Sequence, residues 1–240
     1  MSKLKLPVHE IVPFANVDGS GNRTAIFVQG CNLNCVYCHN PETIQMPCES
    51  TDHTDYSLEE LLTEIKKYAP YIRGITVSGG EATIYKNFLV ELFKEVKKLG
   101  LTCYIDTNGI FIKEKLADLI EVTDKVLFDI KGIDKLSTVT RKNVKFNFEN
   151  LDHLLSLNKV EEVRTVCINN FSDTENTIRE VSKRIKDRED VLYKIIRVHT
   201  RGLKEEQIEN IGDSVPSKKE MVRLGQLADS LGAKNVRVIF

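Results

Sequence analysis

Short apolar runs with period-two alternation are interspersed along the chain with stretches in which apolar residues recur every three or four positions. The first pattern predicts β-strands and the second predicts amphipathic helices. The predicted strands cover 24–30, 75–79, 102–106, 125–131, 163–168 and 193–199, with a short final strand at 236–240. The predicted helices cover 57–69, 87–99, 113–122, 148–157, 174–186 and 218–231, and the polar segments 41–56 and 202–217 are predicted loops. This alternation predicts a parallel α/β fold.

Polar residues follow the ends of most predicted strands. Cys31 follows the first, Asp106 ends the third, Asp129 and Lys131 end the fourth, and His199 ends the sixth. In α/β barrels the loops at the carboxyl ends of the strands gather around one mouth and carry the functional groups. Because six βα units are fewer than a closed barrel needs, we predict a partial TIM barrel, (β/α)6. Its open side would admit a large substrate such as a loop of another protein.

Length and charge narrow the classes of function. The 240 residues support one sizeable core, so we expect a single domain over 1–240. With 34 Lys and Arg against 35 Asp and Glu, the chain has no broad electropositive surface, so a nucleic acid partner is not expected. No window approaches the roughly 18 consecutive apolar residues of a membrane span, and no signal peptide is evident. We therefore expect a cytoplasmic protein without a membrane partner.

Three of the six cysteines, Cys31, Cys35 and Cys38, lie within eight residues of one another. In a reducing compartment such spacing indicates a metal site more readily than disulfides. Three thiolates from one loop suit an iron–sulfur cluster that keeps one iron open to a ligand. Zinc is the alternative, with His39 as the fourth ligand, although His39 is awkwardly placed beside Cys38 for a tetrahedral site.

We do not expect the other three cysteines to bind a cluster. Strand alternation places Cys103 and Cys167 on the face opposite the predicted site, where buried, unreactive thiols are expected. Cys48 lies in a polar loop, and a single cysteine cannot hold a second cluster.

The motifs GCNLNCVYCHN, VSGGEAT, YIDTNG and LFDIK occur in that order, and the segment from Ile11 to about His199 resembles the radical S-adenosylmethionine enzymes. More narrowly, the chain resembles the activating enzymes of glycyl radical enzymes, such as the pyruvate formate-lyase activating enzymes. The resemblance implies one [4Fe-4S] cluster on Cys31, Cys35 and Cys38, whose open iron binds S-adenosylmethionine. It further implies reductive cleavage to a 5′-deoxyadenosyl radical, which takes a hydrogen from a backbone glycine of a partner enzyme.

The resemblance also implies roles for residues that match family motifs. The implied contacts of S-adenosylmethionine are Tyr37, His39, Asn40, Ser78, Gly79, Gly80, Glu81, Asp106, Asn108, Asp129, Lys131 and His199. Asp18, Arg23 and Arg164 are candidates for contact with the protein substrate. A monovalent cation is implied beside the cofactor carboxylate, and the implied partners are a glycyl radical enzyme and an electron donor such as flavodoxin or ferredoxin.

The chain departs from the family pattern in three respects. Ser20 replaces a proline in the motif VDGSG, Asn169 and Asn170 stand where the family has Pro-Gly after the fifth strand, and the short segment 43–56 has no ferredoxin-like insert. These departures leave the identity of the partner open. Two alternative functions also stay open, namely a radical S-adenosylmethionine enzyme that acts on a small molecule or nucleobase, and a zinc-stabilised binding module.

Overall fold

The computed structural model describes residues 4–240 of the chain. Within them, the strands are β1 (Leu6–Ala15), β2 (Arg23–Val28), β3 (Thr54–Tyr56), β4 (Gly74–Gly79), β5 (Thr102–Thr107), β6 (Lys125–Asp129), β7 (Val160–Cys167), β8 (Leu192–Arg197) and β9 (Val236–Ile239). The helices are α1 (Leu58–Tyr68), α2 (Lys86–Lys98), α3 (Ala117–Val122), α4 (Leu136–Thr140), α5 (Glu149–Ser156), α6 (Thr174–Arg184), α7 (Glu205–Ile211) and α8 (Lys218–Ser230). All six predicted βα strands are confirmed, as is the final strand.

The described strands form one sheet in the order β3-β1-β2-β4-β5-β6-β7-β8-β9, and its two end strands do not pair with each other. The α/β class is therefore confirmed, and an open sheet agrees with a partial barrel. Two strands, β1 and β3, and two short helices, α4 and α7, were not predicted. Helix α7 lies in the segment 202–217 that was predicted to be a loop.

The chain divides into two compact units, which we describe separately. Unit 1 comprises the described residues up to Asn32 together with Glu42–Leu127, and unit 2 comprises Leu33–Pro41 and Phe128–Phe240. The division falls within β6. Compact units can occur inside one domain, so the single domain over 1–240 stays a prediction.

In unit 1, β2, β4 and β5 are parallel, and their register pairs Val28 with Gly79 and Val77 with Ile105. Strand β1 is antiparallel to both β2 and β3. Helices α1 and α2 bury their apolar residues in the core of the unit, including Leu61, Leu89 and Phe93. Because parallel strands end at the same edge, this register brings the carboxyl ends of β2, β4 and β5 together.

In unit 2, the parallel strands β7, β8 and β9 pair Arg164 with Lys194 and Lys194 with Arg237. Helices α6 and α8 pack against each other and against these strands. The segment 33–41 belongs to this unit, where the backbone N–H groups of Asn34 and Val36 donate to the carbonyls of Thr140 and Val139.

The longest α-helices in the described residues, α2 and α8, have 13 residues each. None of the helices described is long and apolar enough to cross a membrane.

Candidate functional site

The carboxyl ends of the parallel strands in unit 1 carry a cysteine, a serine and an aspartate. Cys31 follows β2, Ser78 lies near the end of β4, and Asp106 lies near the end of β5. Ser78 Oγ donates a hydrogen bond to Asp106 Oδ2 at 3.1 Å. The structure therefore brings together two of the predicted cofactor contacts on neighbouring strands.

Gly79 and Gly80 allow the end of β4 to approach the backbone just before Cys31. Gly79 has φ +101°, and a Cβ on Gly80 would lie 2.0 Å from the carbonyl oxygen of Gly30. The N–H groups of Gly80 and Glu81 donate to the carbonyls of Val28 and Gly30 at 2.9 Å. Close packing of backbone thus accounts for both glycines. Their predicted contact with a cofactor stays a prediction.

The carboxylate of Glu81 is buried and accepts hydrogen bonds from neighbouring residues of the protein. Its Oε1 accepts hydrogen bonds from Thr83 N at 3.1 Å, Thr83 Oγ1 at 2.6 Å and Thr107 Oγ1 at 2.7 Å, and its Oε2 accepts one from Asn108 N at 2.9 Å. Burial, the largest effect, raises the pKa of Glu81 above its ordinary value, although these hydrogen bonds oppose it. Glu81 therefore fixes the turn that follows Asp106.

Asn32, which sequence reasoning missed, ties the residue after Cys31 to the same turn. Asn108 Nδ2 donates to Asn32 Oδ1 at 2.7 Å, and Asn32 Nδ2 donates to the carbonyl of Ile110 at 3.0 Å. The Sγ of Cys31 lies 3.8 Å from Asn32 Oδ1. Since the two asparagines lie 76 positions apart in sequence, no local pattern could have paired them.

In unit 2, Asp129 and Lys131, both predicted cofactor contacts, form an ion pair with each other. Lys131 Nζ lies 2.6 Å from Asp129 Oδ2, and Arg164 Nη1 lies 3.9 Å from Asp129 Oδ1. Burial alone would raise the pKa of Asp129, but Lys131 and Arg164 outweigh it and hold the pKa below its ordinary value. Burial likewise opposes the charge on Lys131, but Asp129 and other groups raise its pKa well above the ordinary value. Both residues are therefore charged.

Two further charged residues of unit 2, Glu162 and Lys194, were not predicted. Glu162 is 2% exposed, its Oε1 is ion-paired with Arg164, and its Oε2 lies 2.6 Å from Lys194 Nζ. Glu162 and Arg164 lie two apart on one face of β7, and the register of β8 places Lys194 opposite Arg164. The alternation along β7 was visible in the sequence, but the pairing with β8 was not.

Tyr37 lies in an apolar cluster with Val36, Val139, Ile168 and Val198, and it is 3% exposed. Lys131 Nζ lies 5.9 Å from the centre of the Tyr37 ring. Within the described residues, the buried hydroxyl of Tyr37 has no hydrogen-bond partner. Burial, the largest effect, raises the pKa of this hydroxyl far above its ordinary value.

The two predicted histidines lie against each other in unit 2. The ring centres of His39 and His199 are 4.2 Å apart, and His39 Nε2 lies 3.3 Å from the carbonyl oxygen of His199. Burial, followed by the neighbouring His199, lowers the pKa of His39, so His39 is neutral at pH 7. Asn40, the next predicted residue, is partly exposed.

All six cysteines lie in the described residues, and none is joined in a disulfide. The prediction that Cys103 and Cys167 are buried is confirmed, and burial raises the pKa of Cys103 to about 12. Cys31, Cys35 and Cys38 are partly exposed. Within residues 4–240, no three or more His, Cys, Asp and Glu side chains are already gathered as a metal-binding group. The role of the three cysteines as cluster ligands therefore stays a prediction.

Arg23 lies at the amino end of β2, the end of the strand opposite Cys31, and is 1% exposed. Its guanidinium donates to Thr76 Oγ1 at 2.8 Å and to the carbonyl of Ile75 at 2.6 Å, and it lies 3.5 Å from the centre of the Tyr104 ring. The carbonyl of Asp18 accepts a hydrogen bond from Thr76 in the same region. This position favours a structural role for Arg23 over the predicted contact with a protein substrate.

Comparison with known proteins identifies the family. Residues 25–215 match the family described as the Radical SAM superfamily. The chain belongs to this superfamily. It is therefore an enzyme of the class that uses a [4Fe-4S] cluster and S-adenosylmethionine.

Two curated relatives are named as activating enzymes. The chain is 40% identical, over 100% of its own length and 98% of the relative's, to a protein of Haemophilus influenzae named as a candidate glycyl-radical enzyme activating enzyme. It is 32% identical to the pyruvate formate-lyase-activating enzyme of Clostridium pasteurianum, over 82% of this chain and 83% of that enzyme.

Solved structures support the radical SAM fold. SuiB of Streptococcus suis bound to S-adenosylmethionine has a TM-score of 0.60 at 13% identity, and the match covers 88% of this chain and 48% of SuiB. A domain of a pyruvate-formate lyase-activating enzyme from Bacteroides vulgatus has a TM-score of 0.54 at 16% identity, covering 69% of this chain and 98% of that domain.

The chemistry of the donor set in this radical SAM chain fits an iron–sulfur cluster. The three cysteines of the CxxxCxxC segment are partly exposed, whereas burial raises the pKa of the thiols of Cys103 and Cys167. The thiolate is the form that binds a metal, so the accessible cysteines are the better ligands.

Proposed function

We propose that this chain is an activating enzyme of a glycyl radical enzyme. The observation that carries the proposal is the 40% identity to the Haemophilus influenzae relative over the whole chain. The three accessible cysteines and the buried, charged residues near Tyr37 support it.

Cys31, Cys35 and Cys38 would hold a [4Fe-4S] cluster through their thiolates. With S-adenosylmethionine bound and an electron supplied by the donor, this cluster would provide reductive cleavage to methionine and a 5′-deoxyadenosyl radical, which would abstract hydrogen from a backbone glycine of the partner. The protein would bind and orient the reactants and exclude competing reactions. An electron donor such as flavodoxin or ferredoxin is part of the proposal, as is a cytoplasmic location.

The charged residues of unit 2 would bind the amino-acid part of S-adenosylmethionine. The Lys131 ammonium is held 2.6 Å from Asp129 and is charged, so it suits the cofactor carboxylate. Asp129 Oδ1 is buried and, in the part of the chain described, has no hydrogen-bond partner, so it can accept one from a ligand. Tyr37, His39, Asn40 and His199 are proposed contacts of the adenosine part, as their match to the family motifs implies.

In unit 1, Ser78 and Asp106 are proposed contacts of the cofactor amine, because their hydrogen-bonded side chains end neighbouring strands. Glu81 holds the turn after Asp106, and Gly79 and Gly80 bring the backbone of β4 close to the segment before Cys31. The monovalent cation stays a prediction.

The test has two stages. The protein is reconstituted with iron and sulfide without oxygen, reduced, and assayed for 5′-deoxyadenosine, beside Cys35→Ala and the matched control Cys103→Ala. We expect product from the wild type and from Cys103→Ala but none from Cys35→Ala, since only Cys35 lies in the proposed ligand segment. A loaded wild-type cluster that yields no product contradicts the proposal.

The second stage adds a glycyl radical enzyme of the same source and records its electron paramagnetic resonance spectrum. We expect a glycyl radical signal that requires S-adenosylmethionine. Formation of 5′-deoxyadenosine without this signal, together with turnover of a small molecule, would favour the alternative radical SAM function.

A further inference from the structure

Five charged side chains follow one another in unit 2 with alternating sign. Lys131 contacts Asp129, Asp129 faces Arg164, Arg164 pairs with Glu162, and Glu162 pairs with Lys194. Their side chains are between 3% and 20% exposed. At this degree of burial, the electrostatic energy of each charged side chain depends strongly on how close its oppositely charged neighbours lie.

Arg164 does not make equal contact with the two carboxylates beside it. Its Nε is in direct contact with Glu162 Oε1, whereas its Nη1 stays 3.9 Å from Asp129 Oδ1, which is beyond hydrogen-bond distance. Asp129 Oδ1 is buried and, among the described residues, accepts no hydrogen bond. In contact with Glu162, the guanidinium thus lies just beyond hydrogen-bond distance of this oxygen.

Glu162 is itself held in place on the other side. Its Oε2 lies 2.6 Å from Lys194 Nζ, and Lys194 lies across from Arg164 in the register of β7 and β8. A carboxylate engaged by one cation at each oxygen has little freedom to turn. Glu162 therefore ties Arg164 to two neighbouring strands.

We propose that Glu162 is a positioning residue that restrains Arg164 and so keeps Asp129 Oδ1 open to a ligand. Without this restraint, Arg164 would close the separation of 3.9 Å and turn its ion pair with Asp129 into a direct hydrogen-bonded contact. That contact would compete with Lys131 and with the ligand for the same carboxylate. The inference rests on the proposed function, which makes S-adenosylmethionine the ligand.

The experiment measures the affinity of the reconstituted, reduced enzyme for S-adenosylmethionine. The probe is the change in the electron paramagnetic resonance spectrum of the cluster as S-adenosylmethionine is added, which requires no turnover. We expect Glu162→Gln to weaken binding about tenfold, by analogy with residues that orient metal ligands, whose loss costs about 10–100-fold in metal affinity or activity. Glu161→Gln is the matched control, because it removes the same charge from the opposite face of β7.

A double-mutant cycle separates positioning from a general effect of charge or stability. Because Glu162 acts through Arg164, we expect Glu162→Gln to cause no further loss in an Arg164→Met background. Iron content and melting temperature are recorded for every variant. If Glu162→Gln does not fold, it is replaced by Glu162→Asp, which retracts the carboxylate by one methylene. The same criteria then apply to the binding measurements.

The outcomes distinguish this inference from the proposed function. Equal binding by wild type and Glu162→Gln, equal losses in both backgrounds of the cycle, or the same loss in Glu161→Gln would overturn the positioning role alone. A wild type with a full cluster whose spectrum does not respond to S-adenosylmethionine would overturn the proposed function, and the inference with it.

Discussion

The loop that follows Lys131 is held by the carboxylate of Asp173. Replacing this carboxylate should therefore loosen the loop. Asp173 Oδ1 accepts hydrogen bonds from the backbone N–H groups of Ile133 at 3.0 Å and Lys135 at 3.4 Å, and Oδ2 accepts one from Asp134 N at 3.0 Å. Asp173→Asn keeps one oxygen but turns an NH2 group toward one of these donors. We therefore expect the loop to loosen and the protein to lose stability.

The size of the effect follows from the number of bonds lost. A hydrogen bond to a charged group contributes about 1.5–3 kcal/mol, and Asp173 is partly exposed, which weakens it. We expect a loss of about 1–2 kcal/mol in the free energy of unfolding. For a chain of this length, each kcal/mol lowers the melting temperature by about 2–4 °C.

The contribution of Asp173 to stability should also depend on pH. Burial raises the pKa of Asp173, but the backbone hydrogen bonds outweigh it, and the pKa lies below the ordinary value of a carboxyl. A carboxyl with a lowered pKa in the folded state stabilises the fold above its unfolded pKa of about 3.9, and this stabilisation is lost as pH falls through the folded pKa. The difference between wild type and Asp173→Asn should therefore be full at pH 7 and shrink below about pH 4.

The assay combines thermal unfolding at several pH values with hydrogen exchange of the amides of residues 133–135. Asp134→Asn is the matched control, because it removes an exposed charge from the same loop but keeps the backbone N–H groups that donate to Asp173. Unchanged exchange in Asp173→Asn, or a stability difference that grows at low pH, would refute the reasoning.

Three more predictions concern single side chains of the site. Tyr37→Phe removes a buried hydroxyl without a described partner and should raise stability by about 1 kcal/mol in a melting experiment; a lower melting temperature would indicate a partner for that hydroxyl. Glu81→Gln places an NH2 group against Asn108 N or the threonine donors and should cost about 1–3 kcal/mol in denaturant unfolding, and a neutral result would contradict the role of Glu81 in the turn. Lys131→Met should weaken binding of S-adenosylmethionine without changing the iron content, and unaltered affinity would remove Lys131 from the proposed site.

The elements that the sequence predicted well are the ones whose burial produces a simple pattern. Strands β4 and β6 each contain an unbroken run of buried residues, 74–77 in β4 and 126–128 in β6, which is typical of parallel strands covered on both faces. Strand β1 was missed because LPVHEIVPFA contains two prolines and several half-exposed residues, which is unusual for a central strand. Its position is set by antiparallel pairing with β2 and β3, which no local pattern shows.

In the candidate site, too, some contacts could be predicted from the sequence and others could not. The pair Asp129 and Lys131 was predictable, because the two residues lie two apart and follow an apolar run. The contact between Glu162 and Lys194 was not, because it depends on the register of β7 and β8 across 32 positions of sequence. Glu81 shows a different difficulty, since its motif predicts a ligand contact while its hydrogen bonds show that it also builds the turn after β5.

Stability gives little reason to bury five charged side chains in unit 2. Replacing a buried ion pair with well-packed apolar residues is often neutral or stabilising, because the attraction between the charges barely offsets their loss of water. Removing one partner alone is costly, because the other charge is left buried without compensation. All five side chains would therefore be replaceable together by apolar residues if the fold alone were at stake. Apolar residues could not reproduce the proposed role of Glu162, whose carboxylate contacts Arg164 while Arg164 Nη1 stays 3.9 Å from Asp129 Oδ1. The network is thus better explained by control of the Asp129 carboxylate than by a contribution to folding.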